Sequence, residues 1–187
     1  MEALVPALIA AIVTQLGDRA PWLTAILADR FGRPLAVALA AGIAHAAGNT
    51  VAALGGMWVA PMLTPRAWSV LLAVAFAFAT FDMLRPVRAP DRLDGWRMGS
   101  VLTPLFGIGI LAAGNTAQLF TFAIAARSLP WFAAAGATLG CFAVAFVAAV
   151  LGEQLWRRAR FGAWRILVGV LFALAGAVTG LGAAGLI

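Results

Sequence analysis

Six long apolar stretches, separated by short breaks that contain arginine, proline or glycine, make up almost the whole of this 187-residue chain. About twenty apolar residues are needed for a helix to cross a bilayer core. With 64% hydrophobic and 11% charged residues, the chain has too few polar side chains to cover a water-soluble globule. We therefore predict an all-α integral membrane protein, in contact with the lipid bilayer, with six transmembrane helices at about 3–29, 34–61, 67–84, 99–126, 130–155 and 162–186.

The positive charge consists of thirteen arginines, with no lysine, against seven acids. Only Arg66 and Arg127 flank the even-numbered connections between the apolar stretches, whereas ten others flank the odd-numbered ones: Arg30, Arg33, Arg85, Arg88, Arg92, Arg97, Arg157, Arg158, Arg160 and Arg165. By the positive-inside rule, the odd connections are cytoplasmic and both termini lie outside, and six spans without a soluble domain favour a bacterial inner membrane. The basic charge is thus a signal of topology, and we expect no nucleic-acid partner.

A short polar interruption occurs in the first apolar stretch and returns about a hundred residues later. Gln15–Arg19 is followed by Ala112–Thr116, so that Gly17-Asp18 falls on Gly114-Asn115 with an offset of 97. Three spans on either side of the polar stretch 86–98 predict two inverted three-helix repeats, 1–85 and 99–187, joined by a cytoplasmic linker. Inverted repeats place corresponding helices face to face at the membrane midplane, where transporters bind their substrates.

Polar side chains near mid-depth are the candidates for that substrate site, because charged or amide groups in a bilayer are costly without a partner or a function. Gln15 and Asp18 are spaced i, i+3, as are Asn115 and Gln118 in the fourth span. The oxygen ligands they offer suit hard cations such as Ca²⁺, Mg²⁺ and Mn²⁺. We expect the substrate or ion to be bound by Gln15, Asp18, Asn49, Asn115, Thr116 and Gln118, with Arg19 and His45 as possible partners of Asp18 in charge or proton transfer.

The same residues also allow a purely structural interpretation. Asp18 could pair with Arg19 or His45, and the amides could hold helices together at roughly 0.6 kcal/mol each. No set of nucleophile, base and orienting group indicates an enzyme, and we expect no resident cofactor beyond a transported cation.

Three further acids near the ends of the spans suggest ion pairs rather than a site. Asp82 and Arg85 are expected to form an interfacial pair, and Glu153 and Arg157 an i, i+4 salt bridge. Asp29 is expected to anchor its loop together with Arg30 and Arg33.

The motif at 15–20, QLGDRA, with its continuation WLTAILADRFGRP, resembles the Golgi calcium and manganese/proton antiporter family and its bacterial manganese-exporter relatives, within the LysE superfamily. That family carries two copies of E-x-G-D-[KR]-[ST], and AAGNTAQL at 112–119 would be the second copy here. The stretch 151–181 is similar to the family's fifth-to-sixth helix region. The resemblance implies a cation/proton antiporter of two inverted repeats, with Asp18, Gln15 and Asn115 at the metal positions.

Both copies of the motif depart from the family pattern. Asp18 alone remains of four expected acids, since Gln15, Ala112 and Asn115 occupy the other three positions. Arg19 and Thr116 occupy the basic position, and alanine follows each of them. Because dehydration of a divalent ion is offset mainly by anionic ligands, these departures predict weaker binding.

Three functional hypotheses follow. The first is a divergent Mn²⁺ or Ca²⁺/proton antiporter that works by alternating access. The second is a transporter of a small neutral or zwitterionic solute, for which amides and an Asp/Arg pair are suitable. The third is a transport-inactive relative that acts as a structural or regulatory partner, within a homo- or hetero-oligomer.

Overall fold

A computed structural model describes residues 2–186, so Met1 and Ile187, the outer ends of the two predicted repeats, lie outside the described residues. Within 2–186 the regular structure is helical throughout, with no strand. The helices are α1 (Leu4–Gln15), α2 (Arg19–Phe31), α3 (Pro34–Val59) continued by a 3₁₀ turn (Ala60–Met62), α4 (Pro65–Leu84), α5 (Gly99–Ala112), α6 (Thr116–Ala125), α7 (Pro130–Arg158) and α8 (Gly162–Ala184).

Four of these segments are long and apolar enough to cross a membrane: Pro34–Met62, Pro65–Leu84, Pro130–Arg158 and Gly162–Ala184. The pair α5 and α6, bent by 69°, makes a fifth if it is counted as one broken span. The predicted first and fourth spans, 3–29 and 99–126, are therefore each built from two helices rather than one. The chain is an α-helical membrane protein with four or five candidate spans by this measure, where six were predicted.

The two breaks have the same backbone construction. Leu16 and Ala113 are extended, Gly17 and Gly114 have φ of +82° and +71°, and Asp18 and Asn115 then cap the following helices with ψ of 169°. Glycine adopts positive φ without the steric cost that a Cβ imposes. The glycine in each polar interruption thus explains why the helix ends there and restarts within three residues.

The two broken helices lie side by side, with α1 against α6 and α2 against α5. The first part of one therefore packs on the second part of the other. Helix α3 packs against both α5 and α6, and α7 packs against both α1 and α2, while α4 pairs with α8. Small residues on α1 and α7, such as Ala7, Ala11, Ala133 and Ala137, allow these close contacts.

Large apolar side chains cover the outside of the bundle. Phe78 and Phe81 on α4, and Leu171, Leu174 and Val178 on α8, are all exposed. A water-soluble protein rarely exposes so continuous an apolar surface, whereas a lipid-facing helix requires it.

The stretch between α4 and α5 is held against the bundle by Arg30 at the end of α2. Its guanidinium donates to four carbonyls, those of Arg92 (3.4 Å), Leu93 (2.6 Å), Asp94 (3.2 Å) and Trp96 (3.0 Å). Leu93 packs beside Leu23 and against Gly107, where an added Cβ would meet its side chain. The linker is thus an ordered strap over one end of the bundle.

The acids at this end form contacts that differ in part from those predicted. Glu153 pairs with Arg157 at 3.9 Å, as expected, and also with Arg92. Asp29 forms no ion pair with Arg30 or Arg33 within the described part of the chain; its Oδ2 accepts the Glu153 N–H at 2.8 Å. That N–H is free because Gly152, with φ of +71°, interrupts α7. The prediction was wrong because a break within α7 cannot be seen from the local sequence around Asp29.

Candidate functional site

A buried polar cluster lies where α1 ends, between α3 and α7. The Gln15 Nε2 donates to the Cys141 Sγ at 3.6 Å, and the Asn49 Nδ2 donates to the Thr138 Oγ1 at 3.3 Å. Gln15 is 1% exposed and Asn49 is 0% exposed. Their side-chain oxygens, Oε1 and Oδ1, have no hydrogen-bond partner among residues 2–186. Two buried acceptors without donors are costly, so a cation or water is expected to be their partner.

His45 lies one helical turn before Asn49 on α3 and is equally buried. Neither ring nitrogen has a hydrogen-bond partner within the described residues. An imidazole nitrogen with a free lone pair is a suitable metal ligand or proton acceptor.

At the second break, the predicted residues Asn115 and Gln118 use their side-chain oxygens to accept backbone N–H groups of the break itself. The Asn115 Oδ1 accepts the Gln118 N–H at 3.0 Å, which is a helix N-cap. The Gln118 Oε1 accepts the Gly114 N–H at 2.8 Å, and its amide lies against Gly48 of α3, where an added Cβ would meet it. This reciprocal arrangement is similar to a capping box and satisfies two backbone donors.

Asp18 caps α2 by its backbone; its half-buried side chain makes no N-cap hydrogen bond, and a backbone donor close to its carboxylate is the N–H of Arg19. Neither Arg19, which is exposed, nor His45 lies within 4.0 Å of its carboxylate as an ion-pair partner in the part of the chain that the structure describes. The charges of Asp82, Arg165 and Arg19 act on this carboxylate at longer range, and its own charge acts on the Cys141 thiol. The carboxylate is therefore available to a ligand and lies near the Gln15 cluster.

Asp82 also lies in this region, although it was predicted to form an ion pair with Arg85 at the membrane interface. Its Oδ2 accepts a hydrogen bond from the Thr116 Oγ1 at 3.1 Å, so α4 is linked to the start of α6. Arg85 is not its ion-pair partner, because the guanidinium lies over the Phe81 ring at 4.9 Å. The expected interfacial pair was wrong, since Asp82 faces the bundle and Arg85 faces outward. The sequence did contain one signal of this inward position, namely an acidic residue in the last turn of an otherwise apolar span.

Arg165 was predicted to flank the fifth connection at the start of the sixth span; it lies inside α8, as that span implies, but is buried, with 6% of its surface exposed. Its guanidinium donates to the carbonyls of Gly17 (3.3 Å) and Arg85 (3.4 Å), and also to that of Asp82. One side chain thus fixes the first break relative to the ends of α4 and α8. Because α8 begins at Gly162, only three residues earlier, position along the sequence could not distinguish a loop arginine from this one.

Apart from Asp18 and Arg19, the predicted site residues therefore fall into three groups. Gln15, Asn49 and His45 supply buried atoms without partners, Asn115 and Gln118 stabilise the second break, and Thr116 binds Asp82. Among residues 2–186 there is no group of three or more His, Cys, Asp or Glu side chains arranged to hold a metal ion. A cation here would need mixed carboxylate, amide and backbone oxygen ligands.

The chain is similar in part to a protein-family model and, over most of its length, to a bacterial protein. Residues 3–91, which include the first break, match the family model described as the divalent cation/proton antiporter GDT1. A protein of Vibrio cholerae serotype O1, named "Putative manganese exporter", is 25% identical over 181 residues, which is 93% of this chain and 88% of that protein. No solved structure matches the chain. Residues 3–91, just under half of the chain, are thus similar to the GDT1 family, and most of the chain is similar to the Vibrio cholerae protein.

Proposed function

We propose that this protein is a secondary transporter that exchanges a divalent cation, Mn²⁺ or Ca²⁺, for protons by alternating access. The similarity of residues 3–91 to the GDT1 family model supports transport of a divalent cation, and the name of the Vibrio cholerae relative favours manganese. The observation that carries the proposal is the first break, where the Asp18 carboxylate makes no N-cap bond and no close ion pair and lies near buried amide oxygens without partners.

The transport mechanism requires two units that move relative to each other, and we assign these to two inverted repeats, 1–85 and 99–187, joined by 86–98. The similar backbone of the breaks at Gly17 and Gly114 supports this division. So does the packing of α1 on α6 and of α2 on α5, which is the arrangement expected when corresponding helices run in opposite directions. In this proposal α1 and α2 together form a sixth, broken span.

Charge compensation is the main requirement of a divalent cation site, and we assign it to Asp18 and Asp82. Asn115 occupies the position where the family resemblance expects a second aspartate. Asp82 brings a carboxylate to the same region from α4, close enough to interact with Asp18 and bonded to Thr116. Two carboxylates balance the charge of one divalent ion, and Gln15 and Asn49 would complete the shell with amide oxygens.

Proton coupling is assigned to Asp18. A carboxylate that binds the cation from one side of the membrane and a proton from the other links the two movements in opposite directions. The arginine-rich connections would face the cytoplasm of a bacterial inner membrane, with both termini outside. Cation export would then be driven by proton entry.

The proposal is tested by Mn²⁺ tolerance in a bacterial strain that lacks its manganese exporter. We expect the wild-type chain to restore growth, and Asp18→Asn and Asp82→Asn to reduce the tolerated Mn²⁺ concentration at least tenfold. Asp94→Asn is the matched control, because Asp94 is an exposed linker acid whose side chain binds nothing in the site. A wild-type chain that gives no protection at comparable expression would contradict the proposal.

One alternative cargo, a small zwitterionic solute, is favoured by the position of Arg165. This buried cation lies close enough to Asp18 for their charges to interact, so the region offers both signs of charge. Uptake assays in proteoliposomes distinguish between a divalent cation and a zwitterionic solute as the transported substrate. Transport of an amino acid together with indifference to Mn²⁺ and Ca²⁺ would favour the alternative, whereas saturable Mn²⁺ transport would exclude it as the main activity.

A further inference from the structure

A pocket of about 430 Å³ lies between the end of α4, the end of α7, the start of α8 and the first break. Four arginines line it: Arg85, Arg157, Arg160 and Arg165. No acidic side chain is among its lining residues, all of which belong to the described part of the chain. The pocket is thus a concave surface of one sign of charge.

The arginines of this pocket are poorly neutralised. Arg165 donates only to carbonyls and has no carboxylate within 4.0 Å in residues 2–186, so the charge of Asp18 acts on it only at longer range. Arg157 is 3.9 Å from Glu153, but that carboxylate also binds Arg92. A buried cation without a carboxylate in direct contact is costly, and like charges in a confined space repel each other. An anion in the pocket would relieve both effects.

The start of α8 adds to the positive electrostatic potential of the pocket. The helix begins at Gly162 after Phe161, which supplies no side-chain cap, and space is open beside Gly162. The first N–H groups of a helix are unpaired donors at the positive end of its dipole. With the arginines around them, they provide the hydrogen-bond donors that a phosphate group accepts.

The remaining wall of the pocket is apolar. Trp22, Trp156, Phe161 and Ile166 line it, and the rings of Trp156 and Phe161 are 4.8 Å apart. A wall of this kind next to a cluster of arginines suits a ligand with a charged head and a hydrocarbon part. The arginines lie at the same end of the bundle as the linker, which is the end where anionic lipids would be met if it is cytoplasmic.

From these contacts we infer that the pocket is a binding site for a phosphate group, supplied by the head of an anionic phospholipid or by free phosphate. This site adjoins the cation site assigned to Asp18 and Asp82, since Gly17 and Met83 line the pocket, but it would bind an anion through different side chains. Phosphate binding to the purified chain is measured without cation transport, so the two assignments fail independently.

Binding is tested on the full chain, purified in neutral detergent, by native mass spectrometry and thermal shift. The probes are phosphatidylglycerol, phosphatidylcholine as the zwitterionic comparison whose phosphate is neutralised by its choline, and inorganic phosphate with chloride as its control. We expect phosphatidylglycerol to bind and raise the melting temperature, and phosphatidylcholine to do neither. A response to inorganic phosphate at millimolar concentration identifies free phosphate as a ligand, whereas a response to phosphatidylglycerol alone identifies the lipid.

The variant pair Arg157→Gln with Arg160→Gln removes two exposed arginines of the pocket, so it is expected to fold. Its affinity for the phosphate-bearing ligand should fall about tenfold or more. The control pair, Arg88→Gln with Arg97→Gln, loses the same charge from exposed linker positions outside the pocket. Equal loss of affinity in both pairs, or no binding of either phosphate probe to the wild type, would overturn the inference.

Discussion

The two helix breaks share a backbone but differ in what their side chains do. At the second break, Asn115 and Gln118 use their amide oxygens to satisfy the backbone of the break itself. At the first break, the Asp18 side chain caps nothing and the Gln15 oxygen is buried without a partner. The same backbone break can therefore be stabilised by its own side-chain oxygens, or it can leave those oxygens available to bind a ligand. Only the first break keeps atoms available for a cation.

The glycines of the two breaks offer the largest difference in stability. Alanine at either position must adopt a left-handed φ, which costs about 1 kcal/mol or more. At Gly17 the new Cβ would also lie 2.6 Å from the Phe161 Cβ, whereas at Gly114 no atom lies within 4 Å. We expect Gly17→Ala to lower the free energy of unfolding by roughly 3 kcal/mol and Gly114→Ala by about 1 kcal/mol. Thermal unfolding in detergent measures both, and equal losses would show that packing at Phe161 is not what distinguishes the breaks.

The hydrogen bond from Thr116 to Asp82 gives the next largest effect, because its acceptor is a carboxylate. Thr116→Val keeps the shape of the side chain and removes the donor, at an expected cost of about 1.5 kcal/mol in unfolding free energy. Thr116→Ser retains the hydroxyl and is the matched control. If the valine and serine variants unfold alike, α4 and α6 are not joined by this bond in solution.

Asn115 gives the smallest expected change in stability and the sharpest change in charge. Asn115→Ala removes the cap of α6 and should cost about 1 kcal/mol, whereas Asn115→Asp should cost less than about 0.5 kcal/mol, since aspartate caps equally well. The added carboxylate makes the second break similar to the first. We expect tighter Mn²⁺ binding by Asn115→Asp in calorimetry. Unchanged or weaker binding would place the cation away from the second break.

The sequence was most informative about the backbone. The polar interruptions with a central glycine coincide with the two helix breaks, although continuous spans were predicted there, and the proline, glycine and arginine breaks lie close to the observed helix ends. These are local properties, because positive φ, capping and lack of an N–H act over a few residues. The number of spans was harder to predict, since hydropathy alone does not reveal a 69° bend between α5 and α6.

Side-chain partners were much less predictable. Asp82 and Arg165 lie near helix ends, where an acid or an arginine usually reaches the membrane surface. Their inward orientation depends on contacts with Thr116 and Gly17, which are distant in sequence and brought close only by the packing of α4, α6 and α8. One sequence contains no direct signal for such contacts. The pocket of four arginines was missed for the same reason.

The strap between α4 and α5 has a kinetic consequence. A single guanidinium, that of Arg30, donates to four carbonyl groups of the strap, so these bonds depend on one side chain. Its withdrawal would break all four bonds at once and leave the strap held by the ion pair of Arg92 with Glu153 and by Leu93 beside Gly107. Two side-chain anchors, one on α2 and one on α7, therefore determine how long the strap stays against the bundle.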